Sequence, residues 1–288
     1  MAEYRFLNDA DFNALHRCFL DAFSDYSVNM QMSEEQFRAR LVHNGVRLDL
    51  SVGAFNAAGE MVGFTINSCD FWQGKLTTYD SGTGVVPQHR GKGIAKKLFD
   101  SMLPKLREYG ARQYLLEVIT SNEAAVALYR KLGFRETRKL AVLSLNKKLI
   151  YSPVKNQNSL QIREIQNPDW QLFQSFADGF PSWQNSVASI ERSESEKIFL
   201  GAFRNEQCVG YAVAFKSSRS ILQLAVDREY RRKGVGSALL AALQNGVSSP
   251  EKGMRMSNID YSLTDMLAFC ASIGFETVLD QYEMVKDL

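Results

Sequence analysis

Apolar residues along the first half of the chain follow two spacings, one typical of helices and one typical of strands. Residues that recur every three or four positions predict four helices, the second with Ser33 as its N-cap. The helical sets are Phe12, Leu15, Phe19 and Phe23; Phe37 and Leu41; Ile94, Leu98, Met102 and Leu106; and residues 123–132. Apolar runs at 50–55, 61–67, 76–86, 114–119 and 139–145 predict strands. This order predicts an α/β fold of the α+β type, with a mixed sheet flanked by helices.

Four short motifs of the first half recur, in the same order, in the second half. The pairs are Gly53-Ala54-Phe55 with Gly201-Ala202-Phe203, Val62-Gly63-Phe64 with Val209-Gly210-Tyr211, Gly91-Lys92-Gly93 with Gly234-Val235-Gly236, and Leu132-Gly133-Phe134 with Ile273-Gly274-Phe275. The separation within a pair only shrinks along the chain, which indicates a second copy shortened by small deletions. We therefore expect a first domain at 1–150, a polar linker at 151–159 and a second domain at 160–288.

Composition agrees with two ordinary globular domains. The chain has 288 residues, of which 45% are hydrophobic and 23% charged, and these values exclude disorder, collagen-like repeats and coiled coil for most of its length. Lys and Arg number 34 against 32 Asp and Glu, a net charge of +2. So small a charge gives no electrostatic reason to expect nucleic acid or an anionic membrane as partner.

The cysteines and the N-terminus predict a cytoplasmic protein. The four cysteines, Cys18, Cys69, Cys208 and Cys270, are far apart and form no C-x-x-C pair, which is typical of a reducing compartment. The start of the chain lacks a basic segment followed by an apolar run, and no stretch approaches the roughly 20 apolar residues that cross a bilayer. No cluster of residues has metal-ligand spacing, so we expect no metal cofactor.

The glycine-rich turn in VVPQHRGKGIA, residues 85–95, predicts an anion site. Here a strand ends near Pro87 and a helix begins near Gly93, so free backbone N–H groups and the helix dipole would favour a phosphate. Arg90 and Lys92 add positive charge, and a tight turn without ligand is the alternative explanation. The dinucleotide fingerprint fails because Lys96 and Leu239 stand where its third glycine belongs in the two copies. The Walker A pattern fails because Val86 replaces its first glycine.

The turn fits the pattern Q/R-x-x-G-x-G/A in both copies, with Gln88, Gly91 and Gly93 in the first and Arg231, Gly234 and Gly236 in the second. Together with the downstream segment SNEAAVALYRKLGF, residues 121–134, it resembles the GNAT superfamily of N-acetyltransferases. The resemblance covers residues 50–145 firmly, the first 50 residues more weakly, and about 200–245 in the second copy. It implies two GNAT-like domains, each a mixed, mostly antiparallel twisted sheet flanked by helices, and acetyl-CoA as cosubstrate.

The resemblance implies which residues of the first copy act. Tyr129 would protonate the leaving thiolate, although a core tyrosine explains its helical position as well. The run LLEVITSNEAAVALYRKLGF is similar to the ribosomal-protein alanine acetyltransferases, in which the matching Glu, here Glu117, is the base; Asp80 is the rival candidate. The expected cofactor-binding residues are Val85, Val86, Gln88, His89, Arg90, Gly91, Lys92, Gly93, Ile94, Ala95 and Asn122, with Arg231, Gly234 and Gly236 in the second copy. A backbone N–H near Val85 or Val86 would serve the oxyanion.

The second copy keeps the turn and lacks these chemical groups. Counting back from Gly274 as from Gly133, Cys270 stands at the Tyr position, Asn258 at the Glu position and Leu263 at the Asn position. We therefore expect a degenerate, catalytically silent second domain.

The sequence thus favours an acetyl-CoA-dependent N-acetyltransferase. It would transfer an acetyl group directly, in a ternary complex, to the primary amine of a small molecule or a peptide N-terminus. The alternative is a non-catalytic acyl-CoA-binding or sensing protein; a nucleotide-binding protein is weakened by the glycine spacing. The acceptor and the oligomeric state are not determined by the sequence.

Overall fold

The structure is a computed structural model, and it describes residues 2–26, 28–149 and 160–288. The linker expected at 151–159 lies outside the described residues. The chain forms two compact units. The first comprises Met1–Thr137, Arg192–Glu194 and Tyr282–Leu288, and the second comprises Arg138–Glu191 and Ser195–Gln281. These units do not coincide with the two copies predicted from the sequence, because Tyr282–Leu288, for example, belongs to the first unit. The domain boundaries drawn from the repeat stay a prediction.

Helices and strands succeed one another along both halves of the chain. The strands are β1 (Glu3–Phe6), β2 (Val52–Phe55), β3 (Met61–Trp72), β4 (Lys75–Val85), β5 (Gln113–Ile119), β6 (Arg135–Leu145), β7 (Leu160–Glu164), β8 (Lys197–Arg204), β9 (Gln207–Phe215), β10 (Ser220–Val226), β11 (Met254–Asp260) and β12 (Glu276–Asp287). The helices are α1 (Phe12–Ala22), α2 (Glu34–Asn44), α3 (Ile94–Glu108), α4 (Glu123–Lys131), α5 (Trp170–Ser175), α6 (Val187–Arg192), α7 (Val235–Gly246) and α8 (Thr264–Ile273).

The first unit is built on a mixed sheet with the strand order β1-β2-β3-β4-β5, continued by the last residues of β12. Strands β1 to β4 are antiparallel neighbours, and β4 runs parallel to β5. Helices α1 and α3 pack against this sheet. The predicted mixed, mostly antiparallel sheet flanked by helices is confirmed.

The second unit repeats this arrangement. Its strand order is β6-β11-β10-β9-β8-β7, with β10 and β11 as the parallel pair and the other assigned pairs antiparallel. Helix α7, which follows β10 as α3 follows β4, packs on β8 and β9. Each unit therefore contains one parallel pair of strands beside an antiparallel set.

Local sequence explains the helices of the first unit. Ser33 caps α2, since its side chain accepts from the Gln36 N–H while the Gln36 side chain accepts from the Ser33 N–H. Gly45 ends the helix in the left-handed conformation, at φ 74°. Helix α1 buries Leu15 and Phe19 fully against the core, which is the face that their spacing predicted.

A β-bulge at Ser81 decides which side chains of β4 share a face. Asp80 lies opposite Asn67 and Gly82 lies opposite Ile66, so Ser81 is an extra residue in the strand. Asp80 therefore faces α3 with Asn67, and beyond the bulge Thr83 returns to that same face opposite Thr65. Without the extra residue, these two polar side chains of β4 would point to opposite sides of the sheet.

Candidate active site

A gap opens between β4 and β5 in the first unit. The two strands pair from Thr77–Gln113 to Tyr79–Leu115, although β4 continues to Val85 and β5 to Ile119. The Val86 N–H donates to the Val62 carbonyl at 3.1 Å, on the side of β3. Because successive N–H groups of a strand point in opposite directions, the Val85 N–H points toward the gap. Of the two expected oxyanion donors, the geometry favours Val85.

The glycine turn follows β4 at the mouth of this gap. Residues Pro87–His89 form a short 3₁₀ turn, and α3 begins at Ile94, which is buried and anchors the helix. Gly91 and Gly93 adopt φ 74° and φ 76°, which side chains rarely adopt. A Cβ at either position would meet nothing within 4 Å, so open space lies before these backbone groups. The turn can therefore approach a phosphate closely.

Arg90 is tied to α1 rather than projecting free charge from the turn. Its guanidinium donates to the Val85 carbonyl at 3.0 Å and to the Ala22 carbonyl at 2.8 Å, and it pairs with Asp25 at 2.6 Å. The Arg90 guanidinium in turn lowers the pKa of the Asp25 carboxyl. Arg90 thus holds the turn in place, and exposed Lys92 is left as a cation at the turn itself, its ammonium 3.0 Å from the Gln88 carbonyl.

Arg231 of the second unit makes the same set of contacts, and this corrects the sequence alignment of the two turns. It donates to the Val226 carbonyl at 2.9 Å and to the Phe176 carbonyl at 2.8 Å, and it pairs with Asp178. Gly234 caps α7 at φ 80° as Gly93 caps α3 at φ 76°.

The true counterparts are therefore Arg90 with Arg231 and Gly93 with Gly234, an offset of 141. The sequence pairing was wrong by two residues, because it matched residue types rather than backbone conformation. It had aligned Gly91 with Gly234 and Gly93 with Gly236. Arg232, at φ 59°, occupies the place of Gly91. The motif therefore begins at Arg90 in the first copy and not at Gln88.

Tyr129 and Asp80 meet on the α3 side of the gap. Helix α4 begins with Asn122 as its cap and buries Tyr129, whose ring packs 5.9 Å from that of Phe99. The Tyr129 phenol lies beside the Asp80 carboxyl, and each group affects the pKa of the other. The carboxyl accepts hydrogen bonds from the Gly82 N–H at 2.9 Å and from the Thr83 hydroxyl at 2.8 Å. Burial raises the pKa of Asp80 to about 6. Burial, reinforced by Asp80, raises the pKa of Tyr129 well above 10.0, so this phenol stays protonated at neutral pH.

Glu117 lies on the opposite face of the sheet. The Tyr79 hydroxyl donates to Glu117 Oε2 at 3.0 Å, and Tyr79 and Asp80 are neighbours in β4 that point to opposite sides. Arg40 of α2 approaches this group and donates to the Ser81 carbonyl at 3.3 Å. Burial lowers the pKa of Arg40, against the opposing effect of Tyr79 and Glu117. The structure thus brings Tyr129 together with Asp80, and Glu117 together with Tyr79.

Four polar residues near the gap are not among the site residues chosen from the sequence. Thr65, Asn67, Thr83 and Tyr114 form a hydrogen-bonded chain that ends at Asp80. Thr65 and Asn67 carry a weak sequence signal, because they occupy alternate positions of β3 on either side of apolar Ile66. Thr83 carries none, because the bulge at Ser81 breaks the alternation of β4. Burial raises the pKa of Tyr26, from the segment after α1, and neighbouring Asn122 opposes this rise.

The second unit has apolar residues where the first has this chemistry. At the offset of 141, Ile221 replaces Asp80, Leu224 replaces Thr83 and Cys270 replaces Tyr129, and all three belong to its hydrophobic core. Burial raises the pKa of Cys270 to about 12, so its thiol stays protonated. Asn258 takes the place of Glu117.

We expect Asp80→Asn to stabilise the folded protein more at alkaline than at acidic pH. The pKa of Asp80 is raised from 3.8 to about 6 on folding, so its proton is held more tightly in the folded state. Stability is therefore lost between these two values as pH rises. Urea unfolding should show a gain about 1–2 kcal/mol larger at pH 8 than at pH 5. Equal gains at both pH values would contradict this, and exposed Asp100→Asn is the control.

Within residues 2–26, 28–149 and 160–288, no helix is long and apolar enough to cross a membrane. The same residues hold no group of three or more His, Cys, Asp or Glu side chains placed to bind a metal ion.

Comparison with known sequences identifies a family and several relatives of the chain. The sequence profile described as "Acetyltransferase (GNAT) family" matches residues 12–134 and 160–275. Streptothricin acetyltransferase of Streptomyces lavendulae is 40% identical over 81 residues, 28% of this chain and 42% of that protein. Mycothiol acetyltransferase of Paenarthrobacter aurescens is 33% identical over 115 residues, 39% of this chain and 36% of that protein. The matched regions thus span less than half of these relatives.

Solved structures match the fold over the whole chain. A GCN5-related N-acetyltransferase from Sphaerobacter thermophilus superposes with a TM-score of 0.72 and 18% identity, covering 99% of this chain and 95% of that one. A tandem GNAT protein from the clavulanic acid biosynthesis pathway also gives 0.72, with 14% identity and coverage of 100% and 98%. At this identity the likeness establishes the fold alone.

Proposed function

Because the chain belongs to the GNAT family of acetyltransferases, we propose that it transfers an acetyl group from acetyl-CoA to a primary amine, and that the first unit carries the reaction. The observation that carries this proposal is the gap between β4 and β5, with the protonated Tyr129 phenol on one side and the glycine turn at its mouth. The acceptor is a small-molecule amine or a peptide N-terminus. The four cysteines are free thiols, which supports a reducing, cytoplasmic setting.

The residues present fit acetyl-CoA. The open positions before Gly91 and Gly93 leave room for a pyrophosphate against the first turn of α3, near Lys92. The pantetheine arm would enter the gap, where the Val85 N–H is directed to stabilise the oxyanion. Asn122 holds the start of α4, and with it the position of Tyr129.

Acid and base act from opposite faces of the sheet in this proposal. Tyr129 protonates the departing thiolate on the α3 side, and Glu117 takes the amine proton on the α2 side. An attack through the gap has the amine on one side and the leaving group on the other, so this division suits direct transfer. Asp80 is less suited to be the base, since both of its carboxylate oxygens are engaged.

The test of the proposed function is turnover of acetyl-CoA by the full chain. Thiol release is followed with a panel of amines that includes polyamines, amino sugars and peptides with free N-termini. Intact mass spectrometry of the protein with acetyl-CoA alone should show no acetyl-enzyme, as direct transfer requires. Tight acetyl-CoA binding without turnover on any amine would instead favour a non-catalytic acyl-CoA-binding protein.

Glu117→Gln is expected to lower kcat by about 10²-fold at pH 7 and by much less at pH 9. The reason is that a base is needed only while the acceptor amine is protonated, and amines lose this proton in alkaline solution. A pH profile of kcat from pH 6 to 9.5 measures the recovery. Exposed Glu108→Gln is the matched control, and a loss that is equally deep at all pH values would exclude Glu117 as the base.

For the second unit we propose a silent role. Ile221, Leu224 and Cys270 offer no acid and no base at the positions of Asp80, Thr83 and Tyr129. Calorimetric titration with acetyl-CoA distinguishes one binding site per chain from two. Full turnover in a protein carrying both Tyr129→Phe and Glu117→Gln would show that the second unit is active after all.

A further inference from the structure

A series of hydroxyl groups in the first unit leads from the half-buried Thr83, beside Asp80, to the fully buried Thr65 and Tyr114. The Thr83 hydroxyl lies 2.8 Å from Asp80 Oδ2 and 2.9 Å from the Thr65 hydroxyl, and Tyr114 lies beyond at 3.4 Å. We propose that Thr83 is a positioning residue for the acetyl transfer: it holds the Asp80 carboxylate as the acceptor that fixes the Tyr129 phenol at the gap. The inference rests on the proposed function for its assignment of Tyr129.

Asn67, at the end of this hydroxyl series away from Asp80, sets the direction of the hydrogen bond that Tyr114 makes. Asn67 donates through Nδ2 to the Leu50 carbonyl at 2.7 Å, which leaves its Oδ1 as the acceptor for Tyr114 at 2.5 Å. The single proton of Tyr114 is therefore used on Asn67, and Tyr114 cannot donate to Thr65.

The Thr83 hydroxyl has two acceptors within reach, Thr65 Oγ1 at 2.9 Å and Asp80 Oδ2 at 2.8 Å. A hydroxyl has one proton, and an ionised carboxylate is a stronger acceptor than a neutral hydroxyl, so Thr83 donates to Asp80 when Asp80 is ionised. Asp80 thus accepts hydrogen bonds from the Gly82 N–H and the Thr83 hydroxyl, with the Tyr129 phenol beside it, an arrangement that stabilises an ionised carboxylate.

The buried Asp80 carboxylate has hydroxyl groups around it instead of the cation that often stabilises a buried carboxylate. The titratable groups facing the Asp80–Tyr129 pair are Tyr26 from the segment after α1 and Tyr114 from β5. Phe99, from α3, packs on Tyr129 as an apolar ring. Among the described residues, no Lys, Arg or His contributes to the ionisation of Asp80, whereas Thr83 and Gly82 favour its charged form. Removal of the Thr83 hydroxyl should therefore leave the proton on Asp80 to a higher pH.

The test is Thr83→Val in the full chain, compared with Thr83→Ser and Thr78→Val. Carbon-detected NMR titration of the Asp80 carboxyl, assigned with Asp80→Asn, gives its midpoint without any need for turnover. We expect Val to raise the midpoint by about one unit, a tenfold tighter proton, and Ser to restore it. Thr78 is a buried hydroxyl on the same face of β4 that is not among the hydrogen-bond partners of Asp80, so its loss should leave the midpoint unchanged.

Activity supplies the second readout. The acidic limb of the kcat profile should move upward with Thr83→Val, in step with the NMR midpoint, while the KM for acetyl-CoA changes little. An unchanged midpoint in Thr83→Val would overturn the proposal, as would an equal shift in Thr78→Val. Thr83→Ala replaces the valine variant if that one fails to fold. Absence of turnover in the wild-type protein would refute the proposed function instead, and would leave the NMR titration to decide the role of Thr83 toward Asp80.

Discussion

Tyr129→Phe is expected to lower kcat by at least about 10²-fold at every pH at which the wild-type protein is active. The phenol is the group placed to protonate the leaving thiolate, and burial with the neighbouring Asp80 keeps it protonated. Because the ring alone packs against Phe99 and Phe134, at 5.9 and 5.7 Å, phenylalanine should preserve the fold. Steady-state kinetics with the best acceptor amine measure kcat and the KM for acetyl-CoA separately.

Tyr109→Phe is the matched control for this experiment. Its hydroxyl is exposed, accepts a hydrogen bond from Arg47 at 2.9 Å and lies at the end of α3, so its removal should leave kcat unchanged. A Tyr129→Phe protein with wild-type turnover would exclude Tyr129 as the acid. Unlike the loss expected for Glu117→Gln, the loss here should not recover in alkaline solution, since raising the pH does not supply a proton to the thiolate.

Met284→Ala is expected to destabilise the first unit by about 2–5 kcal/mol, although Met284 lies more than 150 residues along the chain from Tyr129. The side chain is fully buried in the core cluster of that unit, where Tyr282 and Leu288 pack beside it. The residues Tyr282–Leu288 thus add a strand next to β5, which itself carries Glu117. Hydrogen exchange of β3 and β5 amides reports the first unit separately, which matters because a protein of two units need not unfold in one step.

Val278→Ala on the same strand provides the control for Met284. Val278 is 52% exposed, so its truncation should change stability by no more than about 0.5 kcal/mol. Deletion of 282–288 should go further and abolish acetyl transfer, even though the proposed catalytic residues lie between 80 and 129. Unchanged protection of β5 in Met284→Ala would show that the last strand does not support the first unit.

Local features of the first unit followed from the sequence. The helices at Phe12 and at residues 123–132 and the N-cap at Ser33 depend on spacing and hydrogen bonds within a few residues, and the structure confirms them. The two GNAT regions were also visible, because the turn and the segment containing Tyr129 recur as compact motifs. The pairing of the two turns was wrong by two residues because it aligned glycines with glycines. In the second copy, Arg232 adopts the left-handed conformation that Gly91 adopts in the first.

The sequence by itself thus determined the family, four helices and five strands of the first half, and a short set of candidate groups, Tyr129, Glu117 and Asp80 among them. Only the tertiary structure decided which of them meet. The bulge at Ser81 places Asp80 and Thr83 together on the face toward α3, whereas Glu117 accepts a hydrogen bond from Tyr79 on the opposite face. Arg90 is likewise bound to Asp25 by a fold contact across 65 residues. Spacing encodes the period of one element, whereas strand register, bulges and ion pairs depend on partners that are distant in the chain.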